Sequence, residues 1–418
     1  MRIAMVSEHA SPLAPLGGIE AGGQNVHVAE LAAALVRAGH DVTVYTRLDD
    51  PALPERVDAA RGVTVVHVPA GPPEPMPRDV LLPFMGAFGR YLAEAWEAAR
   101  PDVVHAHFWM SGLAAVSGAE ALGVPVVLTY HALGAVKHRH QRERDTSPPQ
   151  RIRLERALGR STARIVATCS DEVLELARMG VPRDRVTVVP CGVDPDLFSV
   201  GGPVLARSER PRLVAVGRLV ERKGFETAVT ALRGLPDAEL LIAGGPPAAH
   251  LNDDAYARRL LRHAAAAGVG GRVRLLGQVS RADLPALLRS ADAVLCTPWY
   301  EPFGIVALEA MACGVPVVAS SVGGFLDTVV DGVTGLLVPP RQPASLASAI
   351  RRLLTDPVLQ GGAGVAGADR ARSRYSWDRV ATDTSRVYAQ VVRRQQRPAA
   401  GGQRDVGRTS GWITEAAR

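Results

Sequence analysis

Two series of short apolar runs, separated by segments with helical periodicity, organise this chain. The first series predicts buried strands at residues 3–6, 41–45, 63–68, 103–105, 124–129, 164–167 and 186–189. The second predicts strands at 212–216, 239–243, 273–276, 293–297, 315–319 and 335–338. A helix is predicted at 24–38, closed by Gly39. Strands that alternate with helices indicate parallel sheets of the α/β class.

Because the pattern restarts, the chain predicts two doubly wound, Rossmann-like domains, at residues 1–195 and 196–376. The join falls within 190–211, which is rich in Pro, Gly and Asp. A last helix is predicted at 377–393, and 394–418 is polar and Gly- and Arg-rich, which is typical of disorder. Ligands of doubly wound sheets bind at the carboxyl ends of strands, so we expect a cleft where the two domains face each other.

Composition narrows the class of partner. Of 418 residues, 47% are hydrophobic and 22% are charged, as in globular proteins. Only 5% are aromatic, which argues against stacking on bases and therefore against nucleic acid as a binding partner. The net charge of +6 has two possible explanations: a coding bias towards arginine, or a role in attracting anionic ligands. The four cysteines form no C-x-x-C pair and predict reduced, buried thiols. With no signal peptide core or membrane-spanning run, the expected location is the cytoplasm.

The segment around residues 300–309 carries the most chemical information. Glu301 and Glu309 are eight positions apart around Gly304, and helix propensity begins at about Ile305. Eight residues cover about 12 Å at helical rise, too far for two acids to share one proton or one metal. They could hold two ends of a long ligand, with the amides of Gly304, Ile305 and Val306 facing a phosphate at the helix start. A nucleotide sugar has that shape.

Two cations follow the first strand of the second series. Arg218 and Lys223 are expected at the carboxyl end of that strand. A guanidinium fork and a mobile ammonium suit a diphosphate that gains charge as its glycosyl bond breaks. The alternative is a pair of solvated loop charges.

Two glycine pairs precede the first helix: Gly17 with Gly18, and Gly22 with Gly23. Glycines there would let backbone amides approach a ligand at a helix N-terminus. The spacing is not G-x-G-x-x-G, so it does not indicate a dinucleotide fold. A flexible turn without a ligand is the alternative.

His105, His107 and His131 lie at predicted strand ends of the first domain. His131 is expected to point into the cleft, where a neutral imidazole could hydrogen-bond a sugar hydroxyl. His105 is better interpreted as a satisfied core residue, and the same alternative stands for His107. A zinc site is not expected, because no fourth ligand has suitable spacing.

The stretch 137–164 is crowded with Arg and His. It is interpreted either as the solvated face of a helix at 151–160 or as a patch that binds anions or a membrane surface. The first interpretation is favoured.

Together these pieces resemble the GT-B glycosyltransferases of family 4, a retaining class, over about residues 1–393. The carrying motifs are Gly217-Arg218 with Lys223-Gly224, Glu301-Pro302-Phe303-Gly304 with Glu309, 314–319, and Gly332 with 335–338. The first half, through Gly22-Gly23-Gln24-Asn25, 105–112 and His131, resembles the branch that holds the sucrose-phosphate synthases and the mycothiol glycosyltransferase.

The resemblance implies a role for each matching residue. Glu301 would hold the donor hexose, Glu309 the ribose hydroxyls, and Arg218 and Lys223 the departing diphosphate. His131 would contact the donor sugar. The remaining donor-binding candidates are Gly23, Phe303, Gly304, Ile305 and Val306, and the last helix would cross back to the first domain.

Acceptor binding is implied for Asn25, Arg78 and Phe108. Phe108 stands where the mycothiol branch has tyrosine, and Ala132 where it has threonine. Those hydroxyls help to bind an inositol phosphate in that branch, so this acceptor is questioned, although Arg78 could replace a lysine that touches acceptor phosphate.

The expected activity is metal-independent, retaining transfer of a hexosyl unit from an NDP-sugar to a polar small molecule, with UDP favoured over GDP. No cofactor and no metal are expected. One alternative is a membrane glycolipid acceptor with peripheral contact to an anionic surface. Another is a nucleotide-sugar epimerase or a non-catalytic sugar binder. A homodimer is left open.

Overall fold

The computed structural model describes residues 1–14 and 22–396. Contacts divide the chain into two compact units. The first holds Met1–Ala14, Gln24–Pro190 and the segment from Asp378 onward, and the second holds Gly22, Gly23 and Cys191–Trp377. The predicted pair Gly17 and Gly18 lies outside the described residues.

The first unit is built on an eight-stranded sheet of order β3-β4-β2-β1-β5-β6-β7-β8. All its pairs are parallel except β3 with β4. The strands are β1 Arg2–Val6, β2 Asp41–Arg47, β3 Arg56–Asp58, β4 Thr64–Val68, β5 Val103–His107, β6 Val126–Thr129, β7 Arg164–Ala167 and β8 Val186–Val188. Every strand predicted for this half is present. The antiparallel edge strand β3 was missed because its short, largely exposed sequence has no apolar run.

Helices flank this sheet, and several segments are shorter 3₁₀ turns. The helices are α1 Gly23–Arg37, α2 Met85–Ala98, α3 Trp109–Ala119, α4 Gly134–Gln141, α5 Arg151–Ser161 and α6 Ser170–Arg178, with 3₁₀ turns at Ala60–Gly62, Arg78–Val80, Leu82–Phe84, Arg142–Arg144 and Arg183–Arg185. The core between helices and sheet contains Phe88, Trp96 and Trp109, each almost fully buried. The first predicted helix, 24–38, is confirmed to within one residue at each end by α1.

The second unit holds a six-stranded, wholly parallel sheet of order β11-β10-β9-β12-β13-β14. Its strands are β9 Arg212–Val216, β10 Glu239–Ala243, β11 Val273–Gly277, β12 Ala293–Cys296, β13 Val317–Ser320 and β14 Gly335–Val338. Its helices are α7 Phe225–Ala231, α8 Ala255–Ala266, α9 Leu284–Arg289, α10 Ile305–Ala312, α11 Phe325–Thr328, α12 Pro343–Thr355 and α13 Pro357–Tyr375, with 3₁₀ turns at Glu221–Lys223, Leu232–Gly234, Ala248–His250 and Gly270–Arg272. The second set of six predicted strands is confirmed.

One strand of the second unit begins two residues later than predicted, at Val317 rather than Val315. Pro316 precedes it and has no backbone N–H to donate to a ladder, although its carbonyl accepts from Val294. The apolar pattern therefore begins two residues before the regular pairing of this strand does.

The order of strands reverses beside β9, which pairs with β10 on one side and β12 on the other. In open parallel sheets the carboxyl ends at such a switch point form the default ligand crevice. The loop that carries Arg218 and Lys223 leaves β9 at this end, and the loop that carries Glu301 leaves β12.

The last helix, α14, spans Trp377–Gln396 and ends three residues beyond the predicted bound. From Asp378 onward it belongs to the first unit, where Tyr388 shares a 2.7 Å hydrogen bond with Nδ1 of His105. His40 Nε2 and the Ser385 hydroxyl are 3.0 Å apart. The prediction of disorder at 394–418 is wrong for 394–396, which continue the helix, and the rest lies outside the described residues.

Burial of the described cysteines agrees with the prediction, since Cys169, Cys191, Cys296 and Cys313 are all free and buried. Among the described residues, no helix is both long and apolar enough to cross a bilayer.

We expect Tyr388→Phe to lower the free energy of unfolding by about 1–3 kcal/mol, because it leaves a ring nitrogen of the buried His105 without its partner. Urea denaturation followed by circular dichroism measures this. Tyr256→Phe is the control, since the buried Tyr256 hydroxyl has no hydrogen-bond partner among the described residues. Equal losses for the two variants would show that the His105 contact adds nothing.

Candidate functional site

A buried ion pair lies at the carboxyl ends of β9 and β12. Lys223 ends the 3₁₀ turn after β9, and its Nζ is 2.5 Å from Oε2 of Glu301. The two side chains are 19% and 10% exposed, so the pair is reached by little solvent. Gly224 makes this approach feasible: its φ is 69°, and a Cβ there would lie 2.0 Å from the Thr297 carbonyl oxygen.

Burial and the opposite charge both shift the pKa of each residue in this pair. Burial lowers the pKa of the Lys223 ammonium, and the neighbouring Glu301 opposes this only in part. Burial acts to raise the pKa of Glu301, but Lys223 and Arg222 outweigh it, so the net pKa lies below its ordinary value. The carboxylate is therefore ionised at neutral pH.

Helix α10 begins directly after this pair. Gly304 precedes it with a left-handed φ of 76°, and a Cβ there would lie 2.8 Å from the Phe325 ring. The first amides of an α-helix have no partner within the helix and carry the positive end of its dipole. The predicted start at Ile305 is confirmed. Gly304, Ile305 and Val306 thus present the amide-rich helix start that was expected beside Glu301.

The Glu301 loop is held in place by the turn after β13. The Gly324 amide donates to the Glu301 carbonyl at 2.8 Å. A Cβ on Gly323, whose φ is 50°, would lie 2.1 Å from the same oxygen. Glycine at position 323 is therefore required for this close packing, a constraint that the sequence pattern did not reveal.

Glu309 has a different cationic partner. It is 2% exposed, and its Oε1 accepts a 2.8 Å hydrogen bond from Nη1 of Arg281. The Arg281 guanidinium also lies over the Phe198 ring, 5.0 Å from its centre. The two acids of the motif thus have separate cationic partners, and their roles at the two ends of a ligand stay a prediction. Arg281 was missed, although it lies just past β11, at the same sheet edge as the other candidates.

Gly22 and Gly23 belong by their contacts to the second unit. A Cβ on Gly23 would lie 3.4 Å from the Phe303 ring and 3.6 Å from the Ile305 side chain. A Cβ on Gly22 would lie 4.0 Å from Nε of Arg218. The structure therefore brings these glycines to the loop and helix start that hold the other donor-binding candidates.

The histidines of the first unit form a buried cluster. Nδ1 of His107 and Nε2 of His131 are 2.9 Å apart, and His131 has a positive φ of 60°. His105 is satisfied by Tyr388 and by the Thr129 hydroxyl at 2.9 Å, as the core interpretation predicted.

The sequence analysis missed His27, on α1. Its ring centre is 5.0 Å from that of His131 and 5.6 Å from that of His107. One ring nitrogen from each of these three residues lies within 4.8 Å of the others. The periodicity of α1 marks His27 as buried, but only the fold shows which rings it faces.

Burial keeps these imidazoles neutral. It lowers the pKa of His27 to about 4 and that of His105 to about 3. The pKa values of His107 and His131 also fall well below the ordinary range, first through burial and then through neighbouring histidines.

The acceptor candidates lie in the first unit. Asn25 is 4% exposed, and its side-chain amide donates to the Ser11 carbonyl at 3.0 Å. Phe108 has a φ of 87° and is buried. Its ring centre lies 5.2 Å from the Arg78 guanidinium carbon and 5.1 Å from that of Arg151. Arg78 and Phe108 are therefore brought together, with Arg151 as a neighbour that was not predicted to bind.

Several cations of the segment after β6 are paired with acids. Lys137 contacts Asp79 at 3.1 Å and Asp145 at 3.0 Å. Arg151 is paired with the buried Glu155 at 2.8 Å. The exposed arginines of α5 are Arg153, Arg156 and Arg160. Exposed arginines opposite a buried face favour the interpretation of 151–160 as the solvated face of an amphipathic helix.

Comparison with known proteins identifies the class. A family model described as Glycosyltransferase Family 4 matches residues 21–197. A second, described as Glycosyl transferases group 1, matches residues 203–367. The chain belongs to this glycosyltransferase family, and it has the two Rossmann-like units of the GT-B fold.

Particular relatives extend along nearly the whole chain. A D-inositol 3-phosphate glycosyltransferase of Xylanimonas cellulosilytica is 38% identical, over 95% of this chain and 98% of its own. One of Salinispora tropica is 36% identical, over 94% and 86%. The solved sucrose-phosphate synthase of Thermosynechococcus elongatus is 32% identical, with a TM-score of 0.86 over 94% of this chain and 99% of its own.

We expect the buried histidines to make stability fall as pH falls. A folded pKa of about 4 against an ordinary 6.5 for His27 means that the unfolded chain binds more protons between these values. This residue alone should cost about 2 kcal/mol at pH 5.

Urea denaturation at pH 7.5 and at pH 5 measures how far the free energy of unfolding falls between these two pH values. The fall should be smaller for His27→Gln than for the matched change His250→Gln, at an exposed histidine of the second unit. If the free energy of unfolding of His27→Gln falls as far as that of the wild type, neutral burial of the His27 ring is contradicted.

Proposed function

We propose that this glycosyltransferase moves a hexosyl unit from a UDP-sugar to a small polar acceptor, with retention of configuration and without a metal. The observation that carries the proposal is the buried Lys223–Glu301 pair beside the start of α10. UDP is preferred to GDP by analogy, since structures of the same fold from Anabaena are described as complexes with UDP and UDP-glucose.

The donor would change the partner of each charge. A diphosphate that reaches Lys223 takes over the ammonium, and Glu301 is then available to accept hydrogen bonds from the hexose hydroxyls. Arg218 and the first amides of α10 supply further positive charge, which stabilises the leaving group as its negative charge grows. The pair thus holds both groups ready without leaving either charge buried alone.

Retention without a protein base fits the arrangement of the two acids. Glu301 and Glu309 are bound to different cations, Lys223 and Arg281. Hydrolases that retain configuration use two carboxyl groups about 5 Å apart, one as nucleophile and one as acid. We infer instead that a leaving-phosphate oxygen accepts the acceptor's proton, with Glu309 held by Arg281 for the ribose.

The acceptor is proposed to be a small polyol or sugar. The relatives named for D-inositol 3-phosphate and for sucrose-phosphate support a compact, polar molecule. Arg78, whose guanidinium lies over the Phe108 ring and whose side chain is 23% exposed, could bind an anionic group on it. A membrane glycolipid has less support, because Lys137 and Arg151 are paired with acids. The epimerase and binder alternatives have less support than transfer, because the relatives are named glycosyltransferases.

The chain offers a selective probe of donor binding, because Lys137 and Lys223 are its only lysines. With ¹³Cε-lysine labelling, two resonances are expected, and Lys137→Arg assigns them. UDP should shift the Lys223 resonance, because phosphate replaces Glu301 at the ammonium, and should leave Lys137 nearly unchanged.

GDP and ADP at the same concentration serve as comparison ligands, and we expect smaller shifts from both. A UDP that raises the melting temperature but leaves the Lys223 resonance in place would show that the nucleotide binds elsewhere.

We expect Lys223→Ala and Glu301→Gln each to lower kcat by at least about 100-fold, since each removes a charge or hydrogen bond that acts on the breaking bond. Release of UDP and formation of the acceptor-linked product are measured in excess EDTA, where the wild type should remain fully active.

Arg259→Ala is the control, because it removes an exposed ion pair with Glu221 and Glu226 in the same unit. Turnover within about threefold of wild type in Lys223→Ala would contradict its proposed role. Loss of wild-type activity in EDTA would contradict transfer without metal.

A further inference from the structure

The cluster of His27, His107 and His131 has more nitrogen donors than the proposed transfer reaction uses. One ring nitrogen from each lies within 4.8 Å of the other two, and the three residues are buried. Three convergent imidazoles with a fourth position for water form a familiar ligand set for zinc. This set was overlooked in the sequence because His27 lies far from the other two along the chain.

The spacing of the two rings that face each other decides whether an ion can enter the cluster. Nδ1 of His107 and Nε2 of His131 are 2.9 Å apart. Two ligand nitrogens on one tetrahedral zinc are about 3.3 Å apart, so a small separation of these rings would admit the ion.

His105 packs against the His107 ring on one side of the cluster. The ring centres of His105 and His107 are 4.1 Å apart, and His105 is itself fixed by Tyr388 and Thr129. A neighbour held in this way orients the ligand ring packed against it, as outer groups do in metal sites.

We propose that His27, His107 and His131 bind one divalent late transition metal ion, such as Zn²⁺, and that the bound ion inhibits glycosyl transfer. The inhibitory part rests on the proposed function, because it requires His131 to contact the donor sugar. The binding part does not. The three-imidazole set selects zinc, cobalt, nickel or copper over magnesium and calcium, which prefer oxygen ligands.

Inhibition follows from the use of one ring for two purposes. Coordination occupies a lone pair of His131, and the proton now shared with His107 moves to a ring nitrogen that is not coordinated. His131 can then no longer adjust to a sugar hydroxyl. The ion would therefore act as an inhibitor, while transfer itself proceeds without metal.

Binding is tested with Co²⁺, whose visible absorption reports tetrahedral coordination. The full chain, treated with EDTA and then dialysed, should bind one equivalent, and His27→Gln should bind at least about tenfold more weakly. His250→Gln, at an exposed histidine, is the matched control and should bind as the wild type does.

The wild-type protein loaded with Zn²⁺ provides a second measurement that needs no variant. X-ray absorption should show three imidazoles and one oxygen or chloride around zinc. Fewer than three imidazoles, or Co²⁺ binding by His27→Gln that equals that of the wild type, would overturn the proposal.

The inhibitory part is tested by adding one to two equivalents of Zn²⁺ to the metal-free enzyme. Its transfer rate should fall at least about tenfold and recover with EDTA, while His27→Gln should retain most of its own metal-free rate. If zinc binds through three imidazoles and the rate is unchanged, inhibition is rejected and the metal site stands. If the metal-free enzyme has no transferase activity, the proposed function fails independently of the binding result.

Discussion

The buried contact between Lys223 and Glu301 is the constraint on which the candidate donor site of the second unit depends. Two opposite charges with little solvent must compensate each other, because either one alone would be costly to bury. Their loops leave neighbouring parallel strands, β9 and β12, at the same edge of the sheet. The local backbone follows from this requirement. Gly224 and Gly323 bring main chain closer than any side chain would allow, and Gly304 turns the chain into α10.

The same arrangement explains why the site suits a ligand with a charged middle. An ammonium, the guanidinium of Arg218 and the first amides of a helix are positive, whereas Glu301 and Glu309 are negative and held apart by separate cations. A molecule with a diphosphate between two polyhydroxylated ends matches that alternation of charge. Membership of the glycosyltransferase family, which rests on similarity, is therefore compatible with the proposed nucleotide-sugar site, which rests on electrostatics.

The first unit is organised by buried polar groups of another kind. Its histidines are neutral because burial disfavours the imidazolium, and they are arranged around a positive-φ residue, His131. The last helix takes part through Tyr388, so the end of the described chain helps to fix the middle of this sheet. Polar groups so deeply buried tie the position of α14 to that of β5 more specifically than apolar packing would.

The sequence by itself determined the α/β class, the two successive series of strands and the helix start at Ile305. These depend on periodicity and spacing along the chain, which are local properties. It did not reveal the short edge strand β3, because three mixed residues carry no periodic signal.

Only the tertiary structure decided which distant residues meet. Arg281 reaches Glu309, Arg151 reaches Phe108, and His27 joins His107 and His131 because parallel strands and crossover helices bring separate segments together. No pattern along the chain encodes that proximity, since the contacts depend on strand order and on side-chain direction.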